Sequence, residues 1–403
     1  MRVLISGASV AGPVLAYWLN KYGFEVTVVE SAAGPRNDGG HAVDLFRPAM
    51  QIVEKMGLLE AVRGKVTGTD ILVIHRSGAK PLTVDARKAF TAISDHHVEI
   101  MRDDLSEIFY NATRHDVEYV FGDSITSISE DGEMTFEHGG PRRVDVIVGA
   151  DGLHSNVRRL TFGPESAFST WIGAYVSVVS VPNYLNLDGA MEITWKVGRA
   201  AGVYGAAHMD DARALFLFRT HEPLDYHYQD VPRQKQLLRE HFGDMGWEVP
   251  QLLAELDNTP AFYFDSITQL RLDTCSRGRV TLVGDAGYCP GPAVGGSTSL
   301  AVVGAYALAG ELAAHAPDYG AAFAAYEHEI SDFVRRSHTF AVTAAKKTVP
   351  ASGFDLWVTI QTARLINVLP TSACRAIAKL NTKTLRLYDT TVKDYPTLEK
   401  GSS

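Results

Sequence analysis

Cysteine and basic residues are both scarce in this sequence. Its 403 residues include only three cysteines, which lie far apart, so we expect neither a disulfide framework nor a CxxC metal site. The 14 histidines form no HExxH motif and no Cys/His ligand spacing, and we assign no metal. With 38 Lys and Arg against 47 Asp and Glu, the net charge of −9 argues against a nucleic-acid partner, because phosphate binding needs a basic surface.

Long apolar runs are missing as well. The longest, residues 300–310, is shorter than the roughly 18–20 residues that a membrane span needs. The chain also begins directly with a strand-like run, without the charged region and cleavage site of a secretion signal. We therefore expect a cytoplasmic protein without a membrane partner, either a monomer or a weak homo-oligomer. An amphipathic stretch at residues 354–369 is expected to pack between domains rather than on a membrane.

What the sequence does contain is a strand–turn–helix–strand unit at its start. Residues 2–6 and 25–29 are short runs rich in Val, Leu and Ile, which favour buried parallel strands. Between them, residues 12–22 predict a helix, with Pro13 in its first turn, where a missing N–H costs nothing. A unit of this kind, about 30 residues long, is typical of dinucleotide-binding folds.

The turn of this unit, residues 7–12, reads GASVAG and stands where a GxGxxG fingerprint belongs. Gly7 permits the tight turn, Gly12 lets the helix approach the strand, and the helix start offers free N–H groups to a pyrophosphate. Glu30, at the end of the second strand, is placed to accept hydrogen bonds from a ribose. Ser9 departs from the fingerprint, and an ordinary turn of a doubly wound fold stays an alternative. A serine-hydrolase elbow is excluded, because GxSxG does not fit the spacing.

Three further segments bear on whether this turn belongs to a nucleotide-binding site. Residues 102–105 read RDDL, with a cation opening a helix against the helix dipole. Asp151 and Gly152 follow a buried strand, with Arg158 shortly after them. Gly284 and Asp285 end another strand and lead into a Gly/Pro-rich loop and a helix from about residue 297. Between these last two segments, four strand-like runs after residue 166 favour an antiparallel layer.

In this order and spacing, the four segments resemble the fingerprints of the class A (single-component) flavoprotein monooxygenases, the family of para-hydroxybenzoate hydroxylase and the tetracycline-inactivating monooxygenases. The resemblance covers roughly residues 1–345. It implies an α/β fold: a Rossmann-like FAD-binding domain of the glutathione-reductase and para-hydroxybenzoate-hydroxylase type, an inserted antiparallel β-sheet substrate domain, and C-terminal helices. We expect the FAD-binding domain at 1–70, 98–165 and 272–345, the substrate domain at 71–97 and 166–271, and the helical segment at 346–403.

The resemblance also implies which residues hold the FAD. The turn would bind the pyrophosphate, Glu30 the adenosine ribose, Asp285 the ribityl or pyrophosphate region, and the backbone of 295–298 the flavin pyrimidine. Arg102 would face the flavin side of the cofactor. The full expected set is Gly7, Ser9, Val10, Ala11, Gly12, Glu30, Ser31, Arg36, Arg102, Asp151, Asp285, Gly295, Gly296, Ser297 and Thr298.

Candidates for substrate contact are fewer and less specific. His41 and Arg47 follow a glycine pair where family members line the flavin's mobile edge, although a surface turn explains His41 equally well. Aromatic residues alternate on the strand-like runs, so that one face could roof an aromatic ring, while ordinary core packing is the alternative. The candidates are His41, Arg47, Trp195, Tyr204, Phe216 and Pro290. No residue is assigned as catalytic, because the cofactor carries the chemistry.

The expected activity is that of an FAD-dependent monooxygenase which uses NADPH or NADH and O2. A flavin C4a-hydroperoxide would hydroxylate an aromatic or polycyclic small molecule, such as a natural product or an antibiotic. Two alternatives stay open: Baeyer–Villiger-type oxygen insertion, and a flavin-binding cyclase or scaffold, which the departures at Ser9, Tyr288 and Ser297 suggest. A flavin halogenase lacks its WxWxIP motif here, and a simple NAD-dependent dehydrogenase would not explain the segment at Asp285.

Overall fold

The structure is a computed structural model that describes residues 1–35, 40–85, 87, 97–292, 296–370, 372–374 and 391–396. Its strands are, in chain order, β1 Arg2–Ser6, β2 Glu25–Glu30, β3 Ala42–Leu45, β4 Ile71–Arg76, β5 Ala79–Asp85, β6 Val98–Met101, β7 Glu118–Phe121, β8 Ile125–Ile128, β9 Glu133–Phe136, β10 Arg142–Arg143, β11 Val146–Gly149, β12 Ser169–Pro182, β13 Ala190–Lys196, β14 Arg199–Gly205, β15 Asp211–Arg219, β16 Phe262–Leu270, β17 Ser276–Arg277 and β18 Val280–Leu282. Its helices are α1 Ala11–Lys21, α2 Arg47–Lys55, α3 Leu59–Arg63, α4 Arg102–Asn111, α5 Asn156–Thr161, α6 Val231–Phe242, α7 Val249–Ala254, α8 Asp285–Tyr288, α9 Ser297–His315, α10 Tyr319–Thr348 and α11 Gly353–Val368.

The first core is a six-stranded sheet in the order β17-β18-β11-β1-β2-β7. All of its pairs are parallel except β17–β18. Its central strands are buried on both faces, as Leu4, Ile5 and Val148 show with no exposed surface, which is why they read as unbroken apolar runs in the sequence. The predicted Rossmann-like domain is confirmed.

The second core is a seven-stranded sheet in the order β16-β12-β15-β14-β13-β4-β5. It is antiparallel as predicted, except that β13 and β4 pair in parallel, because β4 and β5 join from an earlier part of the chain. Side chains alternate between its faces. Phe216 and Phe218 pack on the face that carries α6 and α7, whereas Leu215 and Leu217 lie on the opposite face, towards α10 and α11.

Two smaller sheets complete the strands: β8, β9 and β10 form one, and β3 and β6 pair antiparallel in the other. The β3–β6 ribbon matters for the site, because the Ser299 hydroxyl anchors it to the first turn of α9. That hydroxyl donates to the Asp44 carbonyl (3.1 Å) and accepts the Phe46 amide N–H (2.9 Å). The predicted domain boundaries stay a prediction, although the strands of the large sheet all fall within residues 71–85 and 169–270.

The C-terminal helices pack unequally. Helix α9 is long and apolar enough to cross a membrane, but 72% of its apolar window is buried inside the structure, so it is a core helix. It contains residues 300–310, the apolar run that by itself is too short to span a membrane. Helix α10 reaches both cores, with Phe323 in the first and Ala341 in the second. Helix α11 has no buried residue and is held at β5, where the Asn367 amide donates to the Thr83 carbonyl (2.6 Å).

Residues 391–396 lie against α9 and make the clearest packing constraint near the C-terminus. The Tyr395 ring covers Gly310, where a Cβ atom would overlap the ring, and its hydroxyl donates to Glu311 (2.6 Å). We predict that Gly310→Ala lowers the free energy of unfolding by about 1 kcal/mol, because an overlap of about 1–3 kcal/mol exceeds a helix-propensity gain of about 0.5–1 kcal/mol. Gly353→Ala in α11, where a Cβ meets nothing within 4 Å, is the matched control. Chemical denaturation measures both, and equal effects of the two variants would contradict the prediction.

Candidate active site

The turn between β1 and α1 is closed so tightly that side chains do not fit. Gly7 has a φ of 112°, and a Cβ there would overlap the Ala150 carbonyl oxygen. A Cβ on Gly12 would overlap the Gly7 carbonyl oxygen. Helix α1 begins with no side-chain cap, so its first amide groups remain available to an anion. Gly7, Ser9, Val10, Ala11 and Gly12 are therefore brought together in one cradle.

The carboxylate of Glu30 closes the other side of this turn. Its Oε2 accepts the amide N–H of Ala8 (2.9 Å), and its Oε1 accepts the amide N–H of Ala32 (3.0 Å) and the hydroxyl of Ser31 (3.2 Å). Glu30 and Ser31 thus stand at the end of β2 beside the turn. The Ser9 hydroxyl lies 3.3 Å from that of Ser106, so the departure from the glycine fingerprint links the turn to α4.

Arg102 begins α4 at the edge of the same region. Its amide N–H donates to the His41 carbonyl (3.0 Å), and no hydrogen bond or ion pair in the described part of the chain engages its guanidinium. Burial, followed by the charge of Arg102, lowers the pKa of His41 to about 4, so this imidazole is neutral at pH 7. The ring of His41 lies 5.6 Å from that of Tyr263.

The loop at Asp285 is held by its own side chains. The Ser297 hydroxyl donates to the Asp285 carboxylate, and burial raises the pKa of Asp285 while this hydrogen bond opposes the rise. The two residues join the start of α8 to the start of α9. Gly296, at the N-cap of α9, has a φ of 88°, which suits glycine, and no side chain caps the helix.

The Asp151 carboxylate, which we expected to contact the cofactor, caps a helix instead. It accepts the amide N–H groups of Asn156 (2.9 Å) and Val157 (3.1 Å), and therefore caps α5. Burial raises the pKa of Asp151, while these bonds oppose the rise. Nearby Arg158, 1% exposed, donates to the carbonyl of Ala286 (2.8 Å) and to Glu165 (2.8 Å), which ties this segment to the Asp285 loop.

A cavity of about 180 Å³ lies between the start of α9 and the large sheet. Of the expected cofactor residues, Gly296, Ser297 and Thr298 line it; of the expected substrate residues, His41 and Tyr204 line it. The sequence reasoning missed its other polar residues, Asp44, Thr69 and Glu99, and its apolar wall. The apolar wall consists of Ala42, Val43, Val178, Met191 and Leu215.

Four substrate candidates lie outside the cavity lining. Phe216 packs against Phe242 on the opposite face of the sheet (ring centroids 5.0 Å apart). Trp195 is on the cavity face but packs in the cluster beside α10 and α11. Arg47 begins α2, and the Pro290 carbonyl accepts the Gln269 amide (3.0 Å). Arg36 and Gly295, both expected to bind the cofactor, lie outside the described residues.

The sequence reasoning also assigned no role to His154. Its Nδ1 lies 3.0 Å from Glu165 and its Nε2 lies 3.3 Å from Asp265, on the large sheet, while its ring stacks on Tyr228 at 4.3 Å. Burial alone would lower the pKa of His154, but the hydrogen bonds to the two carboxylates raise it to about 9. No local pattern signals this contact, because Asp265 lies far along the chain.

Comparison with known proteins identifies the family. The sequence profile described as "FAD binding domain" matches residues 1–341. A flavin-dependent monooxygenase of Legionella longbeachae is 36% identical over 345 residues, which cover 85% of this chain and 88% of the relative. The chain belongs to the class A flavoprotein monooxygenases. It is thus an FAD-dependent oxidoreductase, as the sequence predicts.

Other proteins and solved structures are also similar to this flavoprotein monooxygenase. An uncharacterized protein of Mycobacterium tuberculosis (strain H37Rv) is 44% identical over 345 residues, covering 83% of this chain and 91% of the relative. The crystal structure of the tetracycline destructase Tet(55) superposes with a TM-score of 0.80 at 31% identity, covering 98% of each chain. Klebsiella pneumoniae HpxO, in its complex with FAD and uric acid, is 20% identical with a TM-score of 0.71, covering 96% of this chain and 97% of HpxO, which shows the shared fold.

The glycine cradle of the monooxygenase provides a direct test of cofactor binding. We predict that Gly12→Ala weakens FAD binding at least tenfold, about 1.4 kcal/mol, because the added Cβ displaces the turn from α1. Gly140→Ala, where a Cβ meets nothing within 4 Å, is the control. Titration of the apoprotein with FAD, followed by flavin fluorescence, measures both. Unchanged affinity in a folded Gly12→Ala protein would contradict the prediction.

The ion pairs of His154 predict a pH dependence of stability. Because the folded pKa of about 9 exceeds the usual 6.5, their contribution is complete below pH 6.5 and is lost as the pH rises through about 9. We therefore expect the melting temperature of the wild type to fall more between pH 6.5 and about 9.5 than that of His154→Gln. The exposed His115→Gln is the control and should follow the wild type. Parallel curves for the wild type and His154→Gln would refute this.

Proposed function

We propose that this monooxygenase uses NADPH or NADH and O2 to hydroxylate an aromatic or polycyclic small molecule, such as a natural product or an antibiotic. The observation that carries the proposal is the composition of the cavity. One wall is the start of α9, where the family resemblance implies the flavin pyrimidine, and the other is the large sheet, through Val178, Met191 and Leu215. An apolar site of this kind beside a cofactor segment favours a flat, apolar substrate.

We assign the FAD to the segments that converge on the first sheet. The cradle at residues 7–12 would hold the pyrophosphate, and Glu30 the adenosine ribose. Asp285 and residues 296–298 would hold the ribityl and flavin parts. Arg102, whose guanidinium has no partner among the residues that the structure describes, would face the flavin side. For Asp151 we propose an indirect role, because its carboxylate is occupied in capping α5. Arg36 and Gly295 stay predictions from the sequence, and so does the cytoplasmic location.

When bound, FAD would supply the redox and oxygen-transfer chemistry, in the manner expected from the sequence. The residues of the chain would then exclude water and orient the substrate. If residues 296–298 hold the flavin pyrimidine, the amide groups at the start of α9, which no side chain caps, would stabilise negative charge on the reduced flavin, and the helix dipole favours that charge. We assign no catalytic acid or base; His41, which is neutral at pH 7 because its pKa is lowered, lines the cavity.

The substrate class is supported by one solved structure as well. Tet(55), which is 31% identical to this chain, is a tetracycline destructase. The scaffold alternative was suggested by residues that depart from the family pattern. It loses this support, because those residues have structural partners. The Tyr288 hydroxyl lies 3.0 Å from that of Tyr326 inside the core, and Ser297 bonds Asp285.

The decisive experiment is purification without added cofactor, followed by NADPH and NADH oxidation assays with phenolic polycycles, tetracycline among them. We expect yellow protein whose oxidation of the nicotinamide rises at least tenfold with a substrate, and one 18O atom from 18O2 in the product. Product NMR separates ring hydroxylation from Baeyer–Villiger insertion. If neither NADPH nor NADH bleaches the flavin anaerobically in the presence of any compound in the panel, the proposal is overturned.

The cavity wall gives a second prediction. Leu215→Trp should fill the cavity, so that the KM for the stimulating substrate rises at least tenfold while the affinity for FAD stays unchanged. The control is Val197→Trp, on an exposed turn residue of the same sheet (48% exposed). Steady-state kinetics and FAD titration measure both effects. An unchanged KM in Leu215→Trp would place the substrate elsewhere.

A further inference from the structure

Helix α11 carries an apolar stripe that the rest of the described chain leaves exposed. One face of the helix meets the large sheet, where Ala363 and Ile366 pack on the second core and the Asn367 amide donates to the Thr83 carbonyl. The opposite face bears five large apolar side chains that are between 39% and 83% exposed: Phe354, Trp357, Val358, Leu365 and Val368. A contiguous apolar patch of this kind on a protein surface marks an interaction site.

The stripe has the spacing of a seam between two paired helices. Residues 354, 358, 361, 365 and 368 follow one another at alternating steps of four and three, which places them on one line along the helix. Trp357 flanks this line, Gln361 stands at its centre, and none of its residues is charged. A line this narrow is typical of helix pairing, because a helix that faces a protein core has a wider apolar face.

The stripe is also symmetric about Gln361. Trp357 and Leu365 lie four residues before and after it, and Phe354 and Val368 lie seven residues before and after it. In an antiparallel pair of α11 helices with a two-fold axis at Gln361, Trp357 would meet Leu365 of the second copy, and Phe354 would meet its Val368. A two-fold interface needs such self-complementarity, because the same patch serves both partners.

The amide group of Gln361 suits the centre of this pair. Its Oε1 lies 3.4 Å from Nη1 of Arg364, and its two amide protons have no acceptor in the described part of the chain. Since an amide group both donates and accepts, Gln361 can pair with the same residue across a two-fold axis. A polar residue within an apolar seam also fixes the register of pairing. A lipid surface would offer no such partner and would leave the amide unpaired.

The area of the stripe indicates a weak pair. Side chains of this size and exposure present roughly 100 Å² each, so two copies would bury about 1,000 Å² in total. This area is at the lower limit for a specific interface and below the roughly 1,600 Å² of a standard one. We therefore expect a dissociation constant between about 1 µM and about 1 mM.

We propose that two copies of this monooxygenase associate through α11, with the two helices antiparallel and Gln361 on the two-fold axis. The α11 helix of each copy covers the apolar stripe of the other. The inference does not rest on the proposed function, because no residue of the stripe lines the cavity.

Sedimentation equilibrium of the FAD-loaded full chain measures the association. We expect the mean mass to rise from 43.9 kDa towards twice that value between about 1 µM and about 1 mM protein. Val368→Glu, at the most exposed position of the stripe, should raise the dissociation constant at least about tenfold, because it buries an unpaired charge in the seam. Thr362→Glu, exposed on the same helix but off the stripe, is the matched control and should stay within about threefold of the wild type.

Engineered cysteines test the antiparallel register. Helix axes about 8–10 Å apart place Cα atoms at the centre of a seam roughly 4–5 Å apart, which a disulfide can bridge. Gln361→Cys should therefore form a disulfide-linked dimer under mild oxidation, and Thr362→Cys should not. Trp357→Cys and Leu365→Cys should link only when mixed, because each lies about 12 Å along the axis from its own counterpart. The three native cysteines are buried.

Four results would overturn the inference. The first is a mass of 43.9 kDa at every concentration. The second is an association that Val368→Glu leaves unchanged in protein that retains FAD and the wild-type melting temperature. The third is an associating protein in which Gln361→Cys does not link or Trp357→Cys links with itself, since a parallel pair would give the latter. The fourth is monomeric protein that binds phosphatidylglycerol vesicles and loses this binding in Val368→Glu, because the stripe would then serve a membrane.

Discussion

The buried guanidinium of Arg158 is the interaction on which the arrangement of the site depends. Almost without exposure, it donates to the carbonyl groups of Leu153 and Ala286 and to the carboxylate of Glu165. A buried charge is tolerated only when it is well paired, and removal of its partners is strongly destabilising. Ala286 directly follows Asp285, so the same hydrogen bonds that pair the two Nη atoms of Arg158 fix the loop that carries the Asp285 carboxylate. Two segments that lie more than 120 positions apart along the chain are thereby locked together.

Further hydrogen bonds connect the contacts of Arg158 to the cavity. Asp285 accepts the Ser297 hydroxyl, which fixes the start of α9. Two residues later, Ser299 bonds the backbone at both Asp44 and Phe46 and so fixes the β3–β6 ribbon. The segment expected to hold the cofactor and the β3–β6 ribbon, whose Asp44 and Glu99 line the cavity, are therefore positioned by one helix. Because α9 is also a core helix, its register is set by packing that the site cannot easily shift.

The sequence predicted the parts that depend on local pattern and failed where contacts depend on register. The turn at Gly7, the strands β1, β2, β11 and β18 of the first sheet, and the start of α9 carry local signatures, and the structure has them where expected. Asp44 and Glu99 meet only because two short strands pair in one particular register, which no local pattern specifies. Phe216 is a second example. The sequence indicates that side chains alternate along its strand, but it does not indicate which face of the sheet lines the cavity, because that depends on how the sheet packs.

Tyr288 shows why a departure from a family pattern must be judged by its surroundings. The residue is 2% exposed, and its hydroxyl lies 3.0 Å from that of Tyr326, which in turn donates to the Leu282 carbonyl (3.0 Å). A Cβ on Gly304 would overlap the Tyr288 hydroxyl, so the glycine in α9 leaves the room that the larger side chain needs. The substitution is thus matched by a partner and by a space inside the first core. It alters the packing behind the Asp285 loop, and the cavity lining contains neither the ring nor its hydroxyl.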